Sequence, residues 1–357
     1  MSDQDSEIDI QGAYCPVPLH QTKTIVMGHG SGGKMMHDLI GEIFVSAFDN
    51  PILAAGNDAG RAAPSTQQKL AISTDAHVVS PLFFPGGDIG KLAICGTVND
   101  VAMLGARPLY ITAGFILEEG LEVEILQRVV FSMQKAAKEA GVLIVAGDTK
   151  VVEKGKADGL YITTAGIGEI SPYPTEIGGQ YAQPGDKIIV SGTLGDHGIA
   201  VLSARGDLGF ETEITSDITP LNVMIAAILH TSKKVHVLRD PTRGGLATSL
   251  NEIARQSQVG IRLYENLIPV QPSVQAACEM LGFDPLYIAN EGKLIVICAP
   301  EDEADILQMM RQQPYGEDAT TIGEVIDEPP GRVLMKTLIG SHRVVDVLAG
   351  ELLPRIC

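Results

Sequence analysis

The stretch DIGKLAICGTVNDVAMLGARPLYITAGFIL, residues 88–117, carries a helix signal followed directly by a strand signal. Asp88 is a favourable N-cap residue, because its carboxylate can accept hydrogen bonds from the first backbone N–H groups of a helix. A largely apolar run follows it as far as Asp100, and the residues after Pro108 favour an extended strand. The stretch therefore predicts one apolar helix that leads into one strand.

The segments on both sides continue this alternation of strands and helices. Apolar residues before the stretch predict a strand that ends at Asp75, and an amphipathic pattern after it predicts a long helix that Gly141 closes. The sequence VLIVAGDTK, residues 142–150, predicts a buried strand that runs into a loop. Because some strands follow one another without a helix between them, we predict an α+β fold with mixed sheets.

A segment rich in proline and glycine, SPYPTEIGGQYAQPGD at residues 171–186, predicts a junction between two domains. The chain has 357 residues, which is long enough for two domains that each bury a core. We predict an N-terminal α/β domain over residues 25–175 and a C-terminal α+β domain over residues 176–345. An N-terminal extension (1–24) precedes them, and a mobile tail (346–357) follows.

Charge and hydropathy exclude several classes of function. The formal net charge of −18 argues against a nucleic-acid partner, since binding a phosphate backbone requires a basic surface. No apolar run reaches the roughly 18 to 20 residues that span a bilayer. The first ten residues are acidic and do not resemble a signal peptide. We therefore expect a cytoplasmic protein that binds neither nucleic acid nor membrane.

The five cysteines are spread along the chain without a CxxC pair, which argues against a disulfide framework or a closed zinc site. Cys95, Cys278 and Cys298 stand in apolar surroundings and are interpreted as core residues. Cys15 lies in an irregular, proline-flanked stretch and is interpreted as incidental. Cys357 is the last residue and has no evident structural role, although a thiol at a chain end can also be inert.

The sequence GHGSGGKM at residues 28–35 approaches the phosphate-binding loop GxxxxGK[ST]. Met35 stands where that loop needs a hydroxyl group for magnesium, so the match is incomplete. Gly30, Gly32 and Gly33 can still present backbone N–H groups to an anion just before a helix. A turn without a ligand explains the same glycines equally well.

Four acidic residues stand near the ends of predicted elements or beside glycine, namely Asp75, Asp100, Asp148 and Asp240. Each one alone is most simply a cap or turn residue. Asp100 is different, because a carboxylate inside an apolar helix is costly unless it is paired. Several carboxylates that converge on one point require cations, and Mg²⁺ with nucleotide phosphates is the usual solution. The residues leave metal binding and capping equally open.

Two further charged residues, Lys150 in AGDTKVV and Glu291 in IANEGKLIV, stand at the mouths of apolar strands. Surface exposure is the common explanation for such residues. In a nucleotide cleft they could transfer protons instead, because desolvation brings the pKa of either type towards neutrality. The segment RDPTRGGL adds Arg243 and Gly244 at the start of a predicted helix, an arrangement that can hold phosphate.

Taken together, these segments resemble the HypE family, the carbamoyl dehydratases of [NiFe]-hydrogenase maturation. The resemblance runs from about residue 25 to the last residue. It rests on GHGSGGK, STDAHV, PLFFPGGDIGKLAICGTVNDVAMLGA, AGDTKVV, SGTLGDHG, LRDPTRGGL, ANEGKL and the terminal PRIC. It implies the wider superfamily of aminoimidazole-ribonucleotide-synthetase-like ATP-binding proteins, whose N-terminal domain dimerises through its strands and whose cleft between domains holds ATP.

The resemblance also implies roles for individual residues. Cys357 would carry a carboxamide that ATP helps to dehydrate to a thiocyanate, with Lys150 and Glu291 accepting the amide protons. Mg²⁺ would bind to Asp75, Asp100 and Asp240. The residues implied in nucleotide binding are Gly30, Gly32, Gly33, Asp148, Thr149, Thr242, Arg243 and Gly244.

The partners that the resemblance implies are a second copy of the chain, the carbamoyltransferase HypF and the HypC–HypD iron scaffold. Two alternatives stay open on the residues. One is another ATP-dependent kinase or synthetase of the same superfamily, which would share the aspartates but would not need a terminal cysteine. The other is a thiol carrier that works without ATP.

Overall fold

The computed structural model describes residues 33–39, 57, 60–62, 69–206, 213–348, 350, 353 and 355–357. The predicted N-terminal extension with Cys15, and the glycines Gly30 and Gly32, lie outside these residues. None of the helices in the described ranges is both long enough and apolar enough to cross a membrane.

The described residues of the first half of the chain form seven strands and three helices. The strands are β1 Gly60–Ala62, β2 Lys69–His77, β3 Phe83–Phe84, β4 Gly87–Asp88, β5 Ala106–Glu118, β6 Leu143–Val152 and β7 Leu160–Ile170. The helices are α1 Lys34–Leu39, α2 Ile89–Ala102 and α3 Val123–Ala140. Five of the strands form one sheet in the order β1-β2-β7-β5-β6, in which β5 and β6 are parallel and the other pairs antiparallel.

The two predicted helices of this half are confirmed at their caps. Asp88 Oδ1 accepts hydrogen bonds from the backbone N–H groups of Gly90 (2.8 Å) and Lys91 (3.2 Å). Helix α3 ends at Gly141, whose φ of 71° lies in the left-handed region that favours glycine. Helix α2 is buried on almost all sides, because it packs between the sheet and the second half of the chain.

The prediction of a buried strand at residues 142–150 is wrong. Strand β6 continues to Val152 instead of entering a loop, and its residues are exposed as far as Val151. Val145, for example, keeps 55% of its surface accessible. Strand β6 lies at the edge of the sheet, next to β5. Within a single chain, its apolar residues are therefore poorly covered on both faces of the strand.

The second half of the chain forms a seven-stranded sheet. Its strands are β8 Lys187–Val190, β9 Val235–Arg239, β10 Gly260–Tyr264, β11 Ile295–Cys298, β12 Thr320–Ile326, β13 Arg332–Lys336 and β14 His342–Val345. They pair in the order β14-β13-β10-β12-β8-β11-β9. Strands β10 and β13 are parallel and the other pairs antiparallel, so both sheets are mixed and the predicted α+β class is confirmed.

Helices cover both faces of this second sheet. The helices are α4 Asp196–Ala204, α5 Asn222–Thr231, α6 Gly245–Ser257, α7 Pro272–Leu281 and α8 Glu303–Arg311, with 3₁₀ turns at Gly179–Tyr181, Glu265–Leu267 and Pro285–Tyr287. Because side chains alternate along a strand, Ile188 and Val190 pack on one side with α6. Ile189 packs on the other side with α5 and α8.

The cysteines predicted to lie in the core are confirmed. Cys95, Cys278 and Cys298 are fully buried and carry free thiols. Cys357 is also a free thiol, but it is only partly buried.

Candidate active site

Asp75 and Asp100 lie close together where β2 crosses α2. The Asp75 carboxylate lies 3.3 Å from the point that a Cβ atom at Gly96 would occupy, so the glycine leaves room for it. Gly96 and Asp100 are four residues apart and share one face of α2. Ser73, which lies two residues before Asp75 on β2, donates a 2.7 Å hydrogen bond from Oγ to Asp100 Oδ2. The strand and the helix therefore direct two of the predicted carboxylates towards one place.

Asp240 and Glu291 reach the same place from the second half of the chain. Asp240 follows β9 directly and is buried. Asn290, in the loop before β11, donates two hydrogen bonds to Pro241 O, from its backbone N–H (3.1 Å) and from Nδ2 (3.0 Å). Because Pro241 follows Asp240, these bonds hold the loop with Glu291 next to Asp240. Burial raises the pKa of Asp240 to about 6, and the charge of Asp75 adds to the rise while Arg239 opposes it.

Asn99 ties the two halves of the chain together at this point. It is fully buried in α2, next to Asp100. Its Nδ2 donates to Thr219 O at 3.0 Å and to Glu291 O at 3.3 Å, and its Oδ1 accepts from Leu221 N at 2.8 Å. Its amide therefore holds Asp100 and Glu291, which are far apart in sequence, in a fixed relation.

The last residues of the chain occupy the space beside these carboxylates. Val78 N donates to Cys357 O and Ser80 N donates to Arg355 O, each at 3.2 Å, so these tail residues lie alongside the residues that follow β2. Arg355 has a φ of 55°, in the left-handed region, so the backbone bends there. Ile356 is only 3% exposed and packs into the core around α2. The predicted mobile tail is therefore docked in this structure.

The Cys357 thiol lies among ionisable groups from both halves of the chain. Burial raises its pKa to about 12; Arg243 opposes the rise, whereas Glu291 and Asp75 add to it. The Glu291 carboxyl lies close enough to the thiol to contribute to this rise. Because only a thiolate is a strong nucleophile, this environment disfavours the reactive form of Cys357 while the tail is docked.

Glu291 is buried and has an oxygen, Oε1, without a hydrogen-bond partner among the described residues. Burial raises its pKa well above the usual value, and the neighbouring carboxylates Asp75, Asp240 and Asp217 raise it further. Arg243 opposes this shift. Glu291 is therefore poised to hold or exchange a proton next to the sulfur atom, as desolvated carboxyl groups at active sites do.

Arg243 and Gly244 form the entrance to helix α6. Gly244 has a φ of 77°, and the helix begins at the next residue, so the positive end of the helix dipole lies at this entrance. Thr242 accepts a hydrogen bond from Gly245 N in the turn before the helix. The guanidinium of Arg243 lies near Cys357, and this neighbour is the largest cause of the raised Arg243 pKa. Arg243 therefore lies close enough to Cys357 for the two groups to interact electrostatically.

Gly33 has a further structural reason to be glycine. A Cβ atom there would lie 2.3 Å from Leu348 O, at the base of the tail, and Lys34 N donates to the same carbonyl at 3.0 Å. The end of the predicted glycine loop therefore contacts the segment that leads to Cys357.

Asp148, Thr149 and Lys150 lie on β6, away from the cluster around Cys357. Thr149 aligns with His77 three strands across the sheet, which is about 14 Å at the usual strand spacing. Lys150 is the next residue; it is exposed and forms a 2.9 Å ion pair with Asp148. The Lys150 hydrogen bond is the main reason that the pKa of Asp148 is lowered. Within one chain, this predicted group is not brought to the sulfur.

Sequence reasoning missed residues that hold the cluster in place. His77 is buried, and its Nε2 lies 3.6 Å from Asp75 Oδ2 and 3.1 Å from Thr164 Oγ1. Burial lowers the pKa of His77, although Asp75 opposes the shift. Asp217 Oδ1 accepts a 3.1 Å hydrogen bond from Glu291 N. His77 lies in the motif STDAHV, two residues after Asp75. Its position in that motif was the sequence signal that could have identified it as part of the site.

No group of three or more His, Cys, Asp or Glu side chains in the described part of the chain is arranged to hold a metal ion by itself. The aspartates are nevertheless suited to a metal ion that takes its remaining ligands from a bound molecule. Mg²⁺ usually takes one or two carboxylates, keeps several waters and completes its shell with phosphate oxygens. Two further observations indicate a site that is incomplete without a ligand. Glu291 Oε1 has no hydrogen-bond partner among the described residues, and the charge of Asp75 contributes to the raised pKa of Asp240.

Comparison with known proteins gives matches along most of the chain. Two models of AIR synthase related proteins match, the N-terminal domain at residues 56–170 and the C-terminal domain at residues 183–336. The carbamoyl dehydratase HypE of Cupriavidus necator is 57% identical over 333 residues, which are 93% of this chain and 95% of that protein.

Solved structures with similar folds include a chain of a HypE–HypF complex. It has a TM-score of 0.82 and 50% identity, covering 87% of this chain and 99% of that chain. The hydrogenase maturation protein HypE in complex with ATP has a TM-score of 0.78 and 51% identity, covering 94% of this chain and 100% of that chain.

Proposed function

Because this chain belongs to the HypE family of carbamoyl dehydratases, we propose that it dehydrates a carboxamide on the sulfur of its own Cys357 to a thiocyanate, at the expense of ATP. The chain is an ATP-binding enzyme of hydrogenase maturation, like the relatives that it matches over nearly their whole length. The observation that carries the finer proposal is the docking of the Cys357 thiol beside Glu291 and Arg243. A small-molecule kinase would have no use for such a docked thiol.

In the proposed reaction, the carboxamide oxygen attacks the γ-phosphorus of ATP and the bond to ADP breaks. The nitrogen loses one proton, which leaves an O-phosphorylated imidate on the sulfur. The C–O bond then breaks as phosphate leaves, and the nitrogen loses its second proton. One S-carboxamide and one ATP thus yield one thiocyanate, ADP and phosphate, and the amide oxygen departs in the phosphate. The thiocyanate would supply cyanide for the iron of the hydrogenase.

We propose that Glu291 accepts a proton from the nitrogen, because its carboxyl lies beside the sulfur that bears the carboxamide. In the ligand-free protein its raised pKa favours the protonated form. Cationic charge that accompanies the nucleotide would lower that pKa and ready the group as a base. Arg243 already acts in this direction, and its guanidinium would also stabilise negative charge on the transferring phosphoryl group.

Mg²⁺ is part of the proposal as a partner of the nucleotide, where it would neutralise phosphate charge. Asp75, Asp100 and Asp240 are the residues that would hold it. We propose that a phosphate group binds at the start of α6, where it would contact Thr242, Arg243 and Gly244. Gly30, Gly32 and Gly33 remain proposed for the same purpose.

Replacing Glu291 with Gln is expected to slow nitrile formation by roughly two to four decades, the usual effect of losing a proton-transfer group. ATP affinity should stay near normal, since Gln keeps the shape and removes only the acid–base function. Single-turnover mass spectrometry and equilibrium ATP binding measure the two quantities. Glu279→Gln is the matched control, because Glu279 is an exposed residue of α7. A loss of ATP affinity with an unchanged rate per bound ATP would contradict the role.

We propose that the working enzyme is a homodimer built on the first sheet. Large apolar side chains are exposed on its outer face, namely Ile72, Tyr110 and Ile116. The apolar residues of β6 continue this surface at the edge of the sheet. A contiguous exposed apolar surface of this kind marks a protein interface. A second copy would cover β6 and enclose Lys150, which stays proposed as a second proton acceptor.

Val145→Asp is expected to weaken the dimer by about tenfold or more, because an unpaired carboxylate is costly at an apolar interface. Sedimentation velocity over a range of concentrations measures the dissociation constant. Val344→Asp is the matched control, since Val344 is 56% exposed and Val145 55% exposed, but Val344 lies on β14 in the other sheet. An equal effect of both variants would contradict an interface at β6.

The state of the Cys357 thiol bears on its partners. A thiol with a pKa raised to about 12 is a poor acceptor for a carbamoyl group while it is docked. We propose that the tail leaves the site to receive the carbamoyl group from HypF and again to deliver cyanide to the HypC–HypD scaffold. A cytoplasmic location fits this role, since all four described cysteines are free thiols.

A further inference from the structure

The last three residues are held through their backbone as well as through their side chains. Each of their carbonyl oxygens has a partner: Ser80 N for Arg355 O, His197 for Ile356 O, and Val78 N for Cys357 O. The side chain of Arg355 also forms an ion pair with Asp158. The tail therefore occupies a formed binding site instead of lying loosely on the surface.

His197 is fully buried near the start of α4. Its Nε2 lies 2.9 Å from Ile356 O, and its Nδ1 lies 2.8 Å from Ser216 Oγ. A carbonyl oxygen can only accept, so Nε2 must carry the proton that is donated to Ile356. Burial lowers the pKa of His197, which favours the neutral ring, so Nδ1 accepts from the Ser216 hydroxyl.

Ser216 is fixed in turn, because its Oγ accepts a 3.3 Å hydrogen bond from Ile218 N and can direct its own hydrogen at His197. The ring of Phe84 packs edge-on against the imidazole, with ring centroids 5.6 Å apart. The imidazole therefore has one orientation, and that orientation presents an N–H group to the tail.

Arg205 makes the second such contact from the other end of α4. Its Nε donates to Ser80 O at 2.9 Å, and one terminal nitrogen donates to Arg355 O at 2.8 Å. One guanidinium thus bridges the segment after β2 and the tail that lies beside it. His197 and Arg205 hold neighbouring carbonyls of the tail from the same helix.

We propose that His197 and Arg205 are positioning residues that bind the carbonyls of Ile356 and Arg355 and so set the depth at which Cys357 enters the active site. This inference rests on the proposed function for its purpose, but the contacts themselves do not depend on ATP or carbamoylation. Neither side chain is assigned a part in the chemistry.

The physical reason for such a device is the spacing of residues along the backbone. Consecutive Cα atoms lie about 3.8 Å apart, so a slip of the tail by one residue would displace the Cys357 side chain by a distance of that order. A misplacement of about 1 Å can already cost a hundredfold in rate. Since the substrate is attached to the tail, its register decides whether the carboxamide meets Glu291 and the phosphate.

Alkylation of Cys357 tests the proposal on the full chain without nucleotide. The protein is treated with iodoacetamide at pH 7.5 and digested, and labelling of each cysteine peptide is followed by mass spectrometry. His197→Ala should raise the labelling rate of Cys357 about five- to tenfold, the effect of losing one buried hydrogen bond from the docked state. His197→Gln, which can place an amide N–H near the position of Nε2, should restore much of the protection.

Matched variants separate positioning from folding. His236 is another buried histidine, with Nδ1 2.7 Å from Asp186 Oδ2 and no hydrogen bond to a described residue of the tail, so His236→Ala should leave Cys357 labelling unchanged. Arg205→Gln should also raise Cys357 labelling, whereas Arg262→Gln, on β10, should not. Labelling of buried Cys95 and Cys298 in the same digests reports loss of the fold.

The proposal is overturned if Cys357 labelling is unchanged in His197→Ala and Arg205→Gln. It is also overturned if Cys95 labelling rises in parallel with Cys357 in both variants, because the two residues would then serve the fold alone. Selective labelling of Cys357 supports the proposal even if no thiocyanate is ever formed. Failure of the positioning role and failure of the proposed reaction are therefore distinguishable.

Discussion

Replacing Cys357 with Ser is expected to abolish thiocyanate formation while the protein still folds and binds ATP. The proposed reaction is carried on a covalent sulfur adduct, and an alcohol oxygen is a much weaker nucleophile for the carbamoyl group than a thiolate. Wild-type protein supplied with the carbamoyltransferase and ATP should gain about 25 Da on its C-terminal peptide, the change from S–H to S–CN. The serine variant should gain no such mass.

The matched control is Cys278→Ser, which changes a free thiol in the core around α7 and should keep the cyanated C-terminal peptide. Mass spectrometry of the separated peptides measures every cysteine at once. A stable cyano group on the peptide with Cys95 or Cys278, while Cys357 stays unmodified, would overturn the assignment of the reacting sulfur.

Replacing Asp100 with Asn is expected to lower ATP hydrolysis by about two to three decades, the usual scale for losing one electrostatic contact to a transition state. The amide keeps the shape of the side chain, and its oxygen can still accept the hydrogen bond from Ser73. It loses the negative charge that a hard cation such as Mg²⁺ requires. Phosphate release measures the rate, and thermal unfolding checks that the fold is unchanged.

Asp88→Asn is the matched control for this variant, because Asp88 caps the same helix and Asn is an equally good N-cap. It should leave ATP hydrolysis close to the wild-type rate. Normal turnover in Asp100→Asn would show that this carboxylate does not act with the nucleotide.

Local chemistry lets the sequence predict the main elements. Asp88 caps the start of α2 with its carboxylate, and Gly141 ends α3 because glycine readily adopts a positive φ. Both caps involve only residues that are close in sequence, so both are recognisable from the sequence alone. The apolar surroundings of Cys95 and Cys298 likewise indicate the core. The motif around each acidic residue is also made of neighbours in sequence.

Strand β6 shows where such reasoning fails. An apolar run has the same sequence pattern whether a strand is buried in its own chain or reserved for a partner, so the pattern at residues 142–150 predicts burial. The structure instead leaves them at a sheet edge, which the order of strands decides. The family resemblance implies that Lys150 and Glu291 act together as proton acceptors. Within one chain they are far apart, because Lys150 lies on the edge strand β6.

The sequence by itself determined the α+β class, the helix caps, the core cysteines and the family of this protein, because each depends on residues that are near one another in the chain or on a shared motif. Only the tertiary structure decided which side chains meet. Asp75, Asp240 and Glu291 come from distant segments, and the interleaving of two sheets with α2 brings them to one sulfur. The docking of Cys357 and the contacts of His197 and Arg205 with the tail also follow from packing, since side-chain hydrogen bonds between residues 150 or more positions apart leave no periodic trace in a sequence.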